Sequence, residues 1–168
     1  MIKITNVLVA TDFSAPSDSA LNYGREFART FGAALHVLHV IDNSMLWAGP
    51  EAVSVDYARL QAELEARAQT ALHRIVTEED RTQLKAVTAI RAGNSPAFEI
   101  ARYAKDQGID IILMGTHGRG LVGHLLMGSV AERVVRIAPC PVLTVRHPEH
   151  EFIQPDALEA VGVVKQPR

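Results

Sequence analysis

The sequence has little of what defines a secreted, membrane or nucleic-acid-binding protein. Cys140 is the one cysteine in 168 residues, so no internal disulfide can form and a reducing compartment is favoured. Apolar runs are too short to cross a bilayer, and the first residues have no signal-peptide core, so we expect a cytoplasmic protein with no membrane contact. A formal net charge of -2 gives no broad attraction to nucleic acid, and we expect none as a partner.

What the sequence does contain is typical of one globular domain. Apolar residues make up 48% of the chain and charged residues 21%, enough to bury a core without disulfides. No internal repeat or change of composition marks a second domain. We therefore assign residues 1–147 to one domain and residues 148–168 to a C-terminal tail; neither the tail nor residues 43–57 match a motif.

Strand and helix patterns alternate along this domain. A short apolar run over residues 7–10 predicts a central strand covered on both faces, and residues 35–41, 109–114 and 142–145 are predicted to be further strands. Residues 84–91 alternate like an edge strand. Helical spacing predicts helices from Ser14 to Gly32, over residues 55–79, from Ser95 to Gly108, and over residues 129–137. In the second of these helices, Glu63 and Arg67 are predicted to form an exposed ion pair. The alternation predicts an α/β fold, a parallel sheet with helices on both faces.

A glycine-punctuated loop follows the most apolar strand. Gly115-Thr-His-Gly118 is followed by nine residues and then by Gly128-Ser129, which open the last predicted helix. Glycines let backbone amides approach an anion closely, and the free amides and dipole of a helix start favour negative charge. The loop is therefore predicted to bind phosphate.

The spacing Gly-x2-Gly-x9-Gly-Ser resembles the nucleotide loop of the universal stress protein family, in its ATP-binding class. Residues 7–14, 109–118 and 138–145 also resemble family segments, and the resemblance covers residues 3–146. It implies a single-domain, doubly wound, five-stranded sheet of flavodoxin-like or Rossmann-like order 3-2-1-4-5. In that order the ligand crevice lies between strands one and four, which end at Asp12 and Gly115.

The resemblance also implies where a nucleotide lies. Adenine is expected near Val40 and Met114, and the ribose near Asp12 and Gly115. The phosphates are expected among Gly118, Arg119, Gly128, Ser129 and Val130. ATP, or ADP or AMP, is the expected ligand, with Mg²⁺ or Mn²⁺ bound to the phosphates; no metal site of the protein's own is expected.

Several of these residues have a second interpretation. Asp12 is also placed to cap the turn before the first helix, and Arg119 to lie in solvent. Ser129 is predicted to cap the last helix whether or not it binds phosphate. Met114, taken alone, is equally expected in the core.

Other motifs predict less. Residues 118–123 fit the dinucleotide fingerprint by letter, but they follow strand four and lack the acidic residue that the fingerprint requires about 20 positions on. His36 and His39 are three apart on a strand, so they face opposite sides and cannot chelate one metal. The last strand, Val142–Val145, is an expected sheet edge, and the resemblance implies a homodimer through it.

The resemblance implies a nucleotide-dependent regulatory module of the stress response, and the residues of the loop favour this role over an enzyme. No lysine lies in the loop, and no general base is evident near the terminal phosphate. The alternatives are a slow metal-dependent ATP hydrolase, a partner-binding dimer with an empty crevice, and a flavin module of the same topology. A protein partner of unknown identity is compatible with each.

Overall fold

The computed structural model describes residues 2–44, 56–116 and 128–146. Five parallel strands form one sheet in the order β3-β2-β1-β4-β5. The strands are β1 (Asn6–Thr11), β2 (Ala34–Asp42), β3 (Val87–Gly93), β4 (Ile111–Gly115) and β5 (Val142–Val145). The helices are α1 (Ala15–Phe31), α2 (Tyr57–Ile75), α3 (Glu78–Gln83), α4 (Pro96–Asp106) and α5 (Ser129–Ile137). The predicted fold class and strand order are confirmed.

The sheet separates two hydrophobic cores. Val7 and Val9 of β1 face α1 and α2, in a cluster that includes Leu21 and Leu72. Their neighbour Leu8 faces α4 and α5 with Ile100 and other residues of the second cluster. Because successive strand residues point to opposite faces, continuous apolar runs are what a sheet covered on both sides requires.

The central strand β1 is paired on one side with β2 and on the other with β4, although β4 lies about a hundred residues later in the chain. Asp110, just before β4, reinforces the second pairing. Its Oδ2 accepts the backbone N–H groups of Thr5 and Asn6, at 2.6 and 3.0 Å. These hydrogen bonds lower the pKa of Asp110, the largest effect being that of the Thr5 N–H.

The single helix predicted over residues 55–79 is wrong, because the chain leaves the helix at Val76 and starts again. Thr77 caps α3: its hydroxyl accepts the Asp80 N–H at 3.1 Å, and the Asp80 carboxylate accepts the Thr77 N–H at 2.9 Å. Asp80 also binds Arg25 of α1 through two hydrogen bonds, Nε–Oδ1 at 2.9 Å and Nη2–Oδ2 at 2.8 Å. Thus α1 and the α2–α3 corner are joined by one carboxylate that is 2% exposed.

The predicted pair between Glu63 and Arg67 is also wrong. Glu63 pairs with Arg59, one turn earlier on α2, with 3.2 Å between Nε and Oε1. The predicted edge strand is confirmed as an edge, although it begins at Val87. Within the three described ranges, no helix has the length and apolar character needed to cross a membrane.

Candidate functional site

A crevice of about 940 Å³ lies at the carboxyl ends of β1, β2 and β4. The starts of α4 and α5 and one side of α2 complete its walls. Between β1 and β4 the chain changes the direction in which it adds strands, which is where ligands bind in open α/β sheets. The fold therefore places this crevice at the position that the topology predicts.

The structure brings most of the predicted ligand residues together. The residues that line the crevice are Asp12, Val40, Met114, Gly115, Gly128, Ser129 and Val130. The other two predicted residues, Gly118 and Arg119, lie outside the described residues. Met114 belongs to the core and also lines the crevice, so its two interpretations are compatible.

A strained turn at the end of β1 positions Asp12. Asp12 Oδ1 accepts the Ser14 N–H at 3.2 Å and the Ser14 hydroxyl at 2.5 Å, so Asp12 does cap the turn before α1. Phe13 between them has φ 64°, a left-handed conformation that a non-glycine residue adopts only when its surroundings impose it. The turn therefore keeps a carboxylate at the crevice at the cost of backbone strain.

The side chain of Phe13 lies against His39 of β2. Their ring centroids are 4.5 Å apart, and His39 Nδ1 lies 2.8 Å from the carbonyl oxygen of Thr11. Because a carbonyl only accepts, Nδ1 carries a proton and donates it. His36 lies on the opposite face of the sheet from His39, as their spacing predicts. Its Nδ1 is 2.9 Å from the Tyr103 hydroxyl, and burial lowers the pKa of His36.

Gly115 is needed for packing as well as for the crevice. A Cβ on Gly115 would lie 2.8 Å from the Pro16 Cβ and 2.9 Å from the Pro16 carbonyl carbon. Backbone cannot move away as a flexible side chain can. The start of α1 therefore reaches the end of β4 only because residue 115 is glycine.

Replacing Gly115 by alanine is expected to lower the free energy of unfolding by about 1–3 kcal/mol, as overpacking typically does. Urea denaturation of the nucleotide-free protein measures this effect. Gly108→Ala is the comparison. Gly108 is exposed and a Cβ there would meet no other atom, so this variant has only the backbone strain of φ 60°. Equal stability of Gly115→Ala and the wild type would contradict the close approach.

The start of α5 provides backbone amides without a side-chain cap. The N-cap is Gly128, with φ -69° and ψ 150°, and not Ser129 as predicted; Ser129 is the first helical residue. Glycine has no side-chain oxygen for the first-turn amides, and no other side chain caps them among the described residues. An anion in the crevice would meet these amides and the positive end of the helix dipole.

The two ends of the glycine loop lie together at the sheet. The Gly128 N–H donates to the carbonyl of Thr116 at 2.5 Å, and the Thr116 N–H donates to the carbonyl of Val145 at 2.8 Å. Thr116 and Gly128, the described residues on either side of 117–127, are thus hydrogen-bonded to each other beside β5, and both line the crevice.

Sequence reasoning missed the wall that α2 contributes. Four residues of α2 line the crevice: Leu64, Arg67, Ala68 and Ala71. Their i, i+3, i+4, i+7 spacing was the available signal, since it places them on one face of a helix. Periodicity alone could not show that part of this face borders a cavity.

The charges around the crevice are few. Among the described residues that line it, the carboxylates are Asp12 and Asp42, and Arg67 is the only lysine or arginine. The described ranges contain no group of three or more His, Cys, Asp or Glu side chains arranged to hold a metal ion.

Comparison with known proteins agrees with this architecture. The family model described as Universal stress protein family matches residues 3–146. Universal stress protein MJ0531 of Methanocaldococcus jannaschii is 32% identical over 145 residues, covering 86% of this chain and 84% of the relative. The structure of universal stress protein UspA from Lactobacillus plantarum has a TM-score of 0.76 and 28% identity, covering 87% of this chain and all of its own. A universal stress protein solved in complex with cAMP shares the fold, with a TM-score of 0.60 at 21% identity over 86% of this chain and 98% of its own.

Proposed function

The chain belongs to the universal stress protein family, and from that premise we propose that it binds ATP in the crevice and acts as a nucleotide-dependent regulatory module. One observation supports this most directly. The turn at Asp12 and the start of α5, which no side chain of the described ranges caps, are far apart in sequence but lie in one crevice at the switch point of the sheet. A volume of about 940 Å³ is at the upper end of the range for small-molecule pockets, so a nucleotide fits.

The groups at the α5 end and at the Asp12 end of the crevice determine how a nucleotide would be oriented. Phosphates belong at the α5 start, with the Ser129 hydroxyl and the amides of Ser129 and Val130 as donors and with Gly118 and Arg119 on the loop. The ribose hydroxyls belong near Asp12, because a carboxylate accepts from hydroxyls and repels phosphate. The base then lies near Val40 and Met114. Mg²⁺ or Mn²⁺ would enter with the phosphates and balance their charge.

A regulatory role is favoured over rapid catalysis. Of the two carboxylates at the described crevice wall, Asp12 is held by Ser14 at the ribose end, and Asp42 lies at the end of β2, away from α5. Neither is placed to activate a water at the terminal phosphate. Thr116, which bonds both Gly128 at the α5 start and Val145 of β5, links the phosphate end of the crevice to the sheet edge on which a regulatory module could act.

The direct test is to identify the nucleotide. Purified protein is denatured, released small molecules are identified by mass spectrometry, and ATP with Mg²⁺ is titrated into the emptied protein by calorimetry. Bound adenine nucleotide, or binding of ATP in the micromolar range or tighter, supports the proposal, and steady release of phosphate would identify a hydrolase. No nucleotide and no binding heat at several temperatures would overturn it and favour the partner-binding dimer.

We further propose a homodimer through β5, in the cytoplasm, where a single cysteine is expected to stay reduced. β5 lies at the edge of the sheet, and Val142, Leu143 and Thr144 on it are only half-buried. An open edge of β-branched and apolar residues favours pairing with another copy. Sedimentation equilibrium of the full chain measures the mass; a monomer at micromolar concentration would contradict the dimer.

Removing the Asp12 carboxylate separates its two roles. Asp12→Ala is expected to weaken ATP binding by about 1–3 kcal/mol, as the loss of a charged hydrogen-bond partner does. Ser14→Ala is the control, since it removes the hydroxyl that donates to Asp12 and leaves in place the carboxylate with its backbone contact from residue 14. Calorimetry and urea denaturation are run on both variants. If Asp12→Ala reduces stability and retains full affinity, Asp12 is only a cap.

A further inference from the structure

The crevice has a wall that the family resemblance did not predict, on α2. Leu64, Ala68 and Ala71 give this wall an apolar surface, and Arg67 lies on the same helix face. Within the described ranges, Arg67 forms no hydrogen bond or ion pair. Glu63, one turn away, pairs with Arg59 instead. Its aliphatic stem can therefore cover the apolar wall while the guanidinium faces a ligand.

The strand order decides which part of a nucleotide reaches this wall. α5 begins beside the end of β4 on one face of the sheet, whereas α2 packs against β2 on the other face, and β1 lies between these strands. Neighbouring strands are about 4.8 Å apart, so the ends of β4 and β2 are separated by about 10 Å. A nucleotide with its phosphates at α5 and its ribose at Asp12 extends its base past Met114 toward the end of β2, where Val40 and α2 line the crevice.

The charges at the β2 end of the crevice favour an uncharged part of the ligand there. Asp42 ends β2 and lines the crevice, so its carboxylate would repel phosphate at that strand end. An apolar wall with a planar cation suits a flat aromatic ring, because a guanidinium is attracted to the face of a π-system. These features match a nucleobase better than a phosphate chain.

We propose that Arg67 is a base-contacting residue, whose guanidinium lies over the purine ring and closes the α2 side of the site. This inference rests on the proposed function, because it assumes a nucleotide in the crevice. It assigns α2 a role in recognition in addition to its part in the core. The glycine loop then holds one end of the ligand and α2 holds the other.

Variants of two arginines on the same helix test this role. Arg67→Ala and Arg67→Gln are compared with Arg74→Ala, because Arg74 is also exposed and without a described partner but does not line the crevice. Affinities for ATP, adenosine and inorganic tripolyphosphate are measured by competition against a fluorescent ATP analogue. Thermal melting of each nucleotide-free variant checks the fold.

The two Arg67 variants are expected to bind ATP and adenosine about two- to fivefold more weakly, the size of an exposed cation–π contact, and to bind tripolyphosphate as the wild type does. Arg74→Ala is expected to change none of the three affinities. Unchanged adenosine binding in both Arg67 variants would overturn the inference, and so would an equal loss for tripolyphosphate, which would make Arg67 a phosphate contact. Failure of the wild type to bind ATP would instead overturn the proposed function.

Discussion

Asp80→Asn is expected to lower the free energy of unfolding by about 3–5 kcal/mol, the cost of leaving a buried partner of an ion pair uncompensated. The side chain of Asp80 is 2% exposed and that of Arg25 is 18% exposed. Asp80 accepts from Arg25 and from the Thr77 N–H, and Arg25 also donates to the carbonyl of Ile75 at 2.7 Å. The change therefore weakens the α3 cap and the contact between α1 and the α2–α3 corner. Urea denaturation at pH 7 measures the loss.

Glu132→Gln is the matched control for this change. Glu132 pairs with Arg136 at 2.8 Å, but both side chains are more than half exposed. Exposed pairs contribute about 0.2–1 kcal/mol, so this variant is expected to stay close to the wild type. If Asp80→Asn were no less stable than Glu132→Gln, the Arg25–Asp80 pair would not join the helices.

The same carboxylate gives the stability an acid dependence. Burial alone would raise the pKa of Asp80, but hydrogen bonds from Arg25 and Thr77 outweigh it and lower the pKa below the ordinary value of 3.8. Because the folded pKa is below the unfolded pKa, the stabilisation is complete above the ordinary value and is lost as pH falls through the folded pKa. The difference in stability between wild type and Asp80→Asn is therefore expected to shrink below about pH 4.

Gly128→Val is expected to abolish ATP binding while leaving the nucleotide-free protein folded. Its branched side chain would occupy the space where phosphate meets the first amides of α5. Losing two hydrogen bonds to a charged group, at about 1.5–3 kcal/mol each, lowers affinity by about a hundredfold or more. Valine fits the backbone there, because φ -69° and ψ 150° lie in the extended region that every residue adopts. Calorimetry with ATP and Mg²⁺ and thermal melting without nucleotide give the two readouts.

Gly128→Ala provides the graded comparison, since a methyl group fills less of the same space. We expect its ATP affinity to lie between those of Gly128→Val and the wild type. Wild-type affinity in the valine variant would show that the phosphates do not lie at the start of α5. A melting temperature well below that of the wild type would show a packing role for residue 128 instead.

The sequence predicted the fold well where one local signal was decisive. The apolar runs of β1 and β4 specify a sheet covered on both faces, and the alternating edge strand was recognisable as such. The bounds of α5 and β5 were predicted to the residue. The clustering of predicted ligand residues followed from topology, since Asp12 and Gly115 end neighbouring strands.

The errors arose where tertiary contacts decide between local alternatives. Arg59 and Arg67 both lie four residues from Glu63, and spacing could not choose between them; the crevice beside α2 leaves Arg67 apart. The break at Val76 depends on the bonds of Asp80 to Arg25, 55 residues away in sequence. Similarly, the contact of Gly115 with Pro16 is invisible until the strand and the helix are assembled.

The pairing of β1 with β4 also determines when the protein is able to fold during synthesis. Val7 pairs with Ile111, and Asp110 binds the backbone of Thr5 and Asn6, so one edge of the first strand stays bare until most of the chain has left the ribosome. Contacts between such distant residues slow folding, because the intervening chain must be ordered before they form. Until then, the first half of the chain exposes the unpaired, apolar edge of β1. Such edges aggregate, and chaperones protect them.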